Sequence, residues 1–367
     1  MHDLSGSPAH GGNLTWAASL AGCSPFAILD FSASINPLGP PKSAIAAIHS
    51  ALKALPHYPD PSYQTLRQAI AAEHNFADLG LDADWILPGN GCAELLTWAG
   101  RDLADLSATY LLTPAFGDYQ RALNAFGATI VNCPLSLASP DLSLSPFFHR
   151  PVPAAGLLLN NPHNPSGCLF SVETIGQLLD HFKLVVIDEA FMDFLWPQQQ
   201  QSLLGIIQDY PNVVILRSLT KFYSLPGLRL GFAVAHPDRL RQWQQWRDPW
   251  AVNVLAEAAA IAVLSDRPFQ QQTWEWLEEA RSQLFQGLAA LPGLHPLPST
   301  GNFLLVRSSY SVVSLQQQLL QQHQILIRDC HSFPELGDQY FRVAVRTHPD
   351  NQRLLHGLAD IVSSYVL

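Results

Sequence analysis

One lysine stands between two apolar runs in Ser218-Leu-Thr-Lys221-Phe-Tyr-Ser-Leu-Pro-Gly-Leu-Arg229-Leu-Gly231. Val213-Val-Ile-Leu-Arg217 before it reads as a strand. A short polar loop then carries the lysine, a Pro-Gly turn follows, and a second strand opens on Arg229. An amine flanked in this way is expected to be partly desolvated, which lowers its pKa toward nucleophilic competence. The hydroxyls of Ser218 and Thr220 and the guanidinium of Arg229 can gather round a phosphate. A nucleophilic lysine beside a phosphate clamp suits Schiff-base chemistry on a phosphorylated aldehyde. A loop lysine taken alone is more often a solvated charge, so its companions decide the reading.

Three companions bear on it. In Asn160-Asn-Pro162-His-Asn164-Pro165-Ser166-Gly167, after the apolar Gly156-Leu-Leu-Leu, two Asn-Pro steps stop any helix and fix a turn. An asparagine amide there can donate to a phenolate oxygen on a ring. Lys183-Leu-Val-Val-Ile187 reads as a buried parallel strand ending in Asp188-Glu-Ala-Phe191. A carboxylate at the carboxyl end of such a strand lies where doubly wound folds bind ligands, and beside a pyridine nitrogen it would keep that nitrogen protonated. By itself Asp188 could equally be a cap or turn residue. Trp85-Ile-Leu-Pro-Gly89-Asn-Gly91-Cys92-Ala-Glu94 reads as strand, turn and helix, whose first unpaired N–H groups would form an anion site. The plain alternative is a simple strand-to-helix turn. No Gly-Lys-Ser/Thr follows, so this is not a Walker loop. Lysine, carboxylate, amide and phosphate cradle together describe a pyridoxal 5′-phosphate site.

The elements that must position these groups alternate. Between Trp85 and Ala235, apolar runs at 108–112, 129–133, 156–159, 184–187, 213–216 and 230–235 alternate with helical patterns. That rhythm predicts an α/β fold with a mostly parallel sheet covered by helices. Residues 1–41 are rich in Gly, Pro and Ser and read as an amino-terminal arm; 42–245 form a large cofactor domain; 246–367 form a smaller α+β domain that works with the arm. Helices are expected at 44–55, 63–74, across one long region 238–291, at 312–323 and at 351–366. Strands are expected at 302–307, 325–328 and 340–346. The stretch 134–153 reads as a loop excursion, and the glutamines at 198–201 and 316–318 as solvated surface.

Length and composition set limits. At 367 residues the chain exceeds one typical domain. Only 14% of residues are charged and 48% are hydrophobic, which suits a large core and a subunit interface. A formal net charge of −10 argues against nucleic acid or an anionic membrane as partners, so an anionic substrate must find a locally basic pocket. The five cysteines are scattered without a Cys-x-x-Cys pair, which disfavours a disulfide framework or a zinc site and fits a reducing cytoplasm. No signal peptide is visible, and the apolar stretch 251–265 is too short to span a bilayer. The fourteen histidines show no ligand-like spacing, so no metal is expected.

In this order the motifs resemble fold-type-I pyridoxal-phosphate enzymes, in the branch that contains the histidinol-phosphate aminotransferases. The likeness is closest to the threonine-phosphate decarboxylases, the cobalamin-pathway members of that branch. It rests on His10-Gly-Gly-Asn13, Leu29-Asp-Phe-Ser-Ala-Ser-Ile-Asn36-Pro-Leu-Gly-Pro40, Asp188-Glu-Ala-Phe191-Met-Asp-Phe194, Arg217-Ser-Leu-Thr-Lys-Phe-Tyr223, Ile325-Leu-Ile-Arg328 and Tyr340-Phe-Arg342-Val-Ala-Val-Arg346. Histidinol-phosphate aminotransferases usually carry a tyrosine where Phe191 stands.

The resemblance implies that Lys221 holds the cofactor, Asp188 meets its ring nitrogen, Asn164 its phenolate oxygen and Phe116 one ring face. Its phosphate would meet the N–H groups of Gly91 and Cys92 and the side chains of Ser218, Thr220 and Arg229, with Tyr58 reaching in from the neighbouring subunit of a homodimer with shared sites. Arg342 would clamp the substrate carboxylate, aided by Asn36, while Arg328 and His10 bind the substrate's own phosphate. Arg342 and Arg346 are four apart and share a face if 340–346 is one strand; Arg346 could instead be a supporting or surface residue. The implied reaction is decarboxylation of L-threonine O-3-phosphate to (R)-1-amino-2-propanol O-2-phosphate. A histidinol-phosphate aminotransferase, or a non-catalytic binding protein on the same fold, are the alternatives. Which Cα bond breaks depends on which stands perpendicular to the ring, and spacing along a sequence does not measure that angle.

Overall fold

The computed structural model describes residues 10–137 and 152–366, so most of the expected 134–153 excursion lies outside the described residues. Two compact units emerge. One takes in 38–164 and 168–274; the other takes in the described part of 1–37, with 165–167 and 275–366. The expected boundary at 245/246 therefore falls inside the larger unit. The reason is packing: Val254–Leu264, almost entirely Ala, Val, Leu and Ile, lies against Lys42–Ala51.

Strands are numbered along the chain. The first, β1 (Leu29–Asp30), belongs to the smaller unit. The larger unit holds β2 (Ile86–Gly89), β3 (Thr109–Thr113), β4 (Ile130–Pro134), β5 (Val152–Asn160), β6 (Phe182–Asp188), β7 (Val213–Ser218) and β8 (Gly231–Ala235). They form one seven-stranded sheet in the order β2-β8-β7-β6-β5-β3-β4. All neighbours are parallel except β8, which runs antiparallel to both β2 and β7. The mostly parallel sheet thus matches the sequence rhythm. Strands covered on both faces read as unbroken apolar runs, and β7 and β8 are buried at every position.

The central strands β5, β6 and β7 end together. Asn160 is in register with Asp188, and Asp188 with Leu216. Their carboxyl ends consequently present Asn164, Asp188 and Ser218 at one edge, the edge at which such sheets bind ligands.

In the smaller unit, β9 (Leu294–Pro296), β10 (Phe303–Ser308), β12 (Arg328–Asp329) and β13 (Tyr340–Ala344) form an antiparallel sheet in the order β12-β13-β10-β9, while β11 (Ile325–Leu326) pairs in parallel with β1. The expected strand 325–328 is therefore two short strands in different sheets. The arm is more ordered than its composition suggests. It carries a helix, Leu14–Ala21, capped by the Asn13 side chain on the Trp16 N–H and ended by Gly22 in the left-handed region.

The expected 238–291 helix is three helices, Pro237–Trp246, Val254–Leu264 and Arg267–Ala289. Pro249 interrupts the first gap, and Asn253 caps the second helix by accepting the Ala256 N–H at 2.9 Å. Among the described residues no helix is long and apolar enough to cross a membrane.

Candidate active site

Lys221 is not on a loop. The Ser218 hydroxyl accepts the Thr220 N–H and starts a four-residue helix, Leu219–Phe222, at the end of β7. This helix sets Lys221 Nζ 4.9 Å above the Phe191 ring, with the side chain half-buried. Asp188 ends β6 and is held by two donors: the Tyr119 phenol to Oδ2 at 2.8 Å and the Ala190 N–H to Oδ1 at 2.9 Å. Burial raises the Asp188 pKa, and Lys221 is the strongest influence opposing it. A buried carboxyl under this strain is stabilised by a cation, and a protonated ring nitrogen is one. Asn164 is buried at the end of the turn after β5, whose Asn161 N–H donates to the Asp188 carbonyl at 2.9 Å. Phe116 caps the helix Gly117–Asn124 and meets Tyr119 edge-on at 5.6 Å.

The phosphate residues also converge. Ser218 Oγ and Thr220 Oγ1 lie 2.8 Å apart and are buried. Cys92 opens the helix Cys92–Ala104, its thiol bonded to the Arg217 carbonyl at 3.0 Å and pushed up to about 12, chiefly by burial. Arg229, itself in the left-handed region (φ 56°) just before β8, lays its guanidinium where a Gly91 side chain would be, Cζ being 3.0 Å from a built Cβ. Gly91 also has φ 76°, so both space and backbone demand glycine. One expectation is corrected: the Gly91 N–H donates to the Gly89 carbonyl at 2.7 Å. Gly91 therefore contributes the space its missing side chain leaves, not an amide. An arginine, two hydroxyls and a helix start around that space fit a phosphate.

Sequence reasoning missed a buried ionic network behind these groups. Arg217 is wholly buried, with Nε 3.0 Å from Glu189 Oε2 and Nη1 2.5 Å from Asp193 Oδ1. Glu189 also accepts from the Ser202 hydroxyl at 2.7 Å and the Leu203 N–H at 3.1 Å. The network joins the ends of β6 and β7, next in sequence to Asp188 and Ser218. Arg217 and Asp193 also line a cavity of about 360 Å³ with Glu73, Gln270, Tyr223 and Trp274. Burial pushes the Glu73 carboxyl up to about 7 there, despite Arg267 at 2.9 Å. The second missed residue is Tyr119. The signal for it was the helical spacing from Phe116, which sets both rings on one face.

Tyr58 is 77% exposed, and its ring stacks on that of Trp250 with centroids 4.4 Å apart. Ile45, Leu52, Leu55 and Trp250 are exposed as well.

In the smaller unit, Arg328 and Arg342 are buried partners directly across β12 and β13. Arg328 Nη2 donates to Ser332 Oγ at 2.5 Å; Arg342 Nη2 donates to the Ser32 carbonyl at 3.3 Å and lies 5.0 Å over the Phe303 ring. Burial, then the neighbouring Arg328, pushes Arg342 down to about 10. His10, Gly11, Gly12 and Arg328 line one small pocket, where a side chain on Gly11 would collide with the Ser32 carbonyl. Asn36 is buried. Arg346 lies beyond the end of β13, not within the strand as expected, and pairs with Asp350 at 3.1 Å while donating to the Asp30 carbonyl at 3.1 Å. Among the described residues no cluster of three or more His, Cys, Asp or Glu side chains is placed to hold a metal ion.

Comparison with known proteins places this geometry in context. The sequence model of aminotransferase class I and II matches residues 27–358. A threonine-phosphate decarboxylase of Salmonella typhimurium is 38% identical over 97% of this chain and 97% of its own length. The crystal structure of L-threonine-O-3-phosphate decarboxylase from Porphyromonas gingivalis aligns with a TM-score of 0.78 at 25% identity, covering 91% of this chain and 99% of that one. That of the histidinol-phosphate aminotransferase from Clostridium acetobutylicum aligns with a TM-score of 0.81 at 27% identity, covering 92% and 100%.

Proposed function

This chain belongs to the aminotransferase class I and II family, and on that premise we propose that it is a pyridoxal-phosphate-dependent carboxy-lyase. It removes CO2 from L-threonine O-3-phosphate, puts a proton in its place at Cα, and leaves (R)-1-amino-2-propanol O-2-phosphate for cobalamin biosynthesis. The observation that carries the reading is the buried pair Arg328 and Arg342, opposite one another in strand register. Two adjacent cations repel, and a substrate bearing both a phosphate and a carboxylate relieves that repulsion twice. Histidinol phosphate brings a phosphate and no carboxylate. The identity to the Salmonella decarboxylase supports the same reading.

Pyridoxal phosphate supplies an electron sink for the charge left at Cα when a bond to it breaks. Lys221 attaches it, Asp188 holds a proton on its ring nitrogen, Asn164 donates to its phenolate oxygen, and Phe116 covers one ring face. Ser218, Thr220, Arg229, Cys92 and the space at Gly91 take its phosphate. Arg342, with Asn36, grips the substrate carboxylate; Arg328 and His10 grip the substrate phosphate. Fixing both ends leaves the Cα bonds little freedom to turn, and that restraint selects the bond that breaks. Arg346, engaged by Asp350, supports β1 through the Asp30 carbonyl.

The reading includes a cytoplasmic homodimer in which Tyr58 reaches the phosphate held by the neighbouring copy. Its exposure, and that of Ile45, Leu52, Leu55 and Trp250 in the same unit, suits burial against a second copy. Sedimentation of the holoenzyme as a dimer is expected.

The test is direct. Purified protein with the cofactor is given threonine phosphate, or histidinol phosphate with 2-oxoglutarate. Release of CO2 from the first is expected. Glutamate from the second without CO2 from the first makes the protein an aminotransferase, and neither product makes it a binding protein.

A further inference from the structure

We propose that Tyr119 is a positioning residue for the ring-nitrogen carboxylate: its phenol fixes the orientation of Asp188 and keeps it ionised. This rests on the cofactor assignment above. Tyr119 is 2% exposed and stands one helical turn after Phe116, so the start of one helix supplies both the ring-stacking side chain and the hydroxyl behind Asp188. Its O–H reaches Oδ2 at 2.8 Å, while the Ala190 N–H reaches Oδ1 at 2.9 Å. Two donors from different elements, one on each oxygen, fix the plane of the carboxylate. Each oxygen retains further lone-pair capacity, which a ring N–H can use.

The groups that bear on Asp188 divide by sign. Lys221, the Tyr119 hydroxyl and the Ala190 amide favour its charged form; burial and Asp118 oppose it. Burial, then the Asp188 charge, pushes the Cys92 thiol up to about 12, which keeps it neutral near pH 7. Once Lys221 is committed to the cofactor, Tyr119 and the Ala190 amide remain as the chain's own fixed donors. Tyr119 cannot easily ionise in exchange, because burial and Asp188 itself hold its pKa well above the usual phenol value. The proton therefore stays on the phenol and the charge on the carboxylate.

Tyr119→Phe keeps the ring and its edge-on contact with Phe116, and removes only the bond. In the apoprotein, carbon-13 titration of the Asp188 carboxyl is expected to move to higher pH. In the holoenzyme, the nitrogen-15 signal of the cofactor ring should report less protonation at a given pH. The turnover number should fall about tenfold with KM within about twofold. An Asp188 titration unmoved by Tyr119→Phe overturns the proposal and leaves Tyr119 a packing residue. If the variant does not fold, 3-fluorotyrosine placed at 119 decides. Its more acidic phenol is a stronger donor and must move the Asp188 titration downward, and no movement again overturns the proposal. A protein that never takes up pyridoxal phosphate refutes the cofactor reading, while the apoprotein titration still decides whether Tyr119 governs Asp188.

Discussion

Arg328→Ala separates the two anions assigned to the substrate. Arg328 is 6% exposed, and its guanidinium is the charge next to Arg342 that helps depress the Arg342 pKa. A charge-assisted hydrogen bond to a phosphate contributes about 1.5–3 kcal/mol. At 1.4 kcal/mol per tenfold, kcat/KM for threonine phosphate should fall by roughly 10- to 150-fold. Unphosphorylated threonine never met Arg328. For it the variant removes a repulsive neighbour from Arg342, so its kcat/KM should hold steady or rise slightly. The quantity to measure is the ratio of the two specificity constants, which cancels any general loss of folded enzyme. Arg342→Ala must behave differently, lowering both substrates and leaving their ratio within about threefold, since the carboxylate is common to both. Steady-state CO2 release across both variants and both substrates gives the four numbers needed. Should Arg328→Ala depress threonine as much as threonine phosphate, the assignment of Arg328 to the phosphate is wrong. The pair would then act only as a general positive field.

Lys221→Ala is expected to abolish CO2 release and borohydride-trapped cofactor while leaving the circular dichroism spectrum and melting temperature nearly unchanged; full activity in that variant would end the cofactor assignment. Asp188→Asn keeps the shape but removes the charge beside the ring nitrogen, so turnover should drop by about two orders of magnitude or more with modest cofactor loss, and unchanged turnover would reduce Asp188 to a cap. Glu73 supplies a pH test. Its folded pKa, about 7, exceeds the ordinary glutamate value of 4.5, so the folded state binds its proton more tightly than the unfolded state does. Stability from this group is therefore fully present below pH 4.5 and is lost as pH rises through 7, by roughly 1.4 kcal/mol per unit of difference. Glu73→Gln should flatten that slope, raising the urea midpoint at pH 8 relative to pH 5; a slope as steep as that of the wild type would contradict it.

The groups at strand ends were legible because buried parallel strands announce themselves. The run Leu184–Ile187 ends at Asp188, and Val213–Leu216 gives way to Arg217 and Ser218, so the polar residues at both strand ends stand out. Lys221 was legible as chemistry but not as conformation, since its short helix depends on a single hydroxyl cap at Ser218. The Gly91 amide was misassigned because a glycine turn shows where space is needed, not which carbonyl its N–H will find. Asp248-Pro249 and Asn253 carried an ordinary stop signal and cap, and the helical periodicity around them outweighed both. Tyr119 and Arg217 were hidden for a deeper reason. Each acts through partners 69 and 24–28 residues away, and a sequence read one window at a time holds no record of which strands will lie side by side.

The ionic triad of buried Arg217 and Glu189 with half-buried Asp193 bears on the order of assembly. Sliding β7 past β6 by one residue would turn the guanidinium away from both carboxylates and leave the buried Arg217 charge without its partners, at about 3–5 kcal/mol for a broken pair. Misaligned chains are thus rejected during folding, before any ligand arrives. Asp188 and Ser218 are the immediate neighbours of Glu189 and Arg217, so the alignment that survives is also the one that sets them at the same sheet edge. The binding site is therefore inherited from strand pairing. Amide exchange at the ends of β6 and β7 should accordingly be nearly as slow in the apoprotein as in the loaded enzyme.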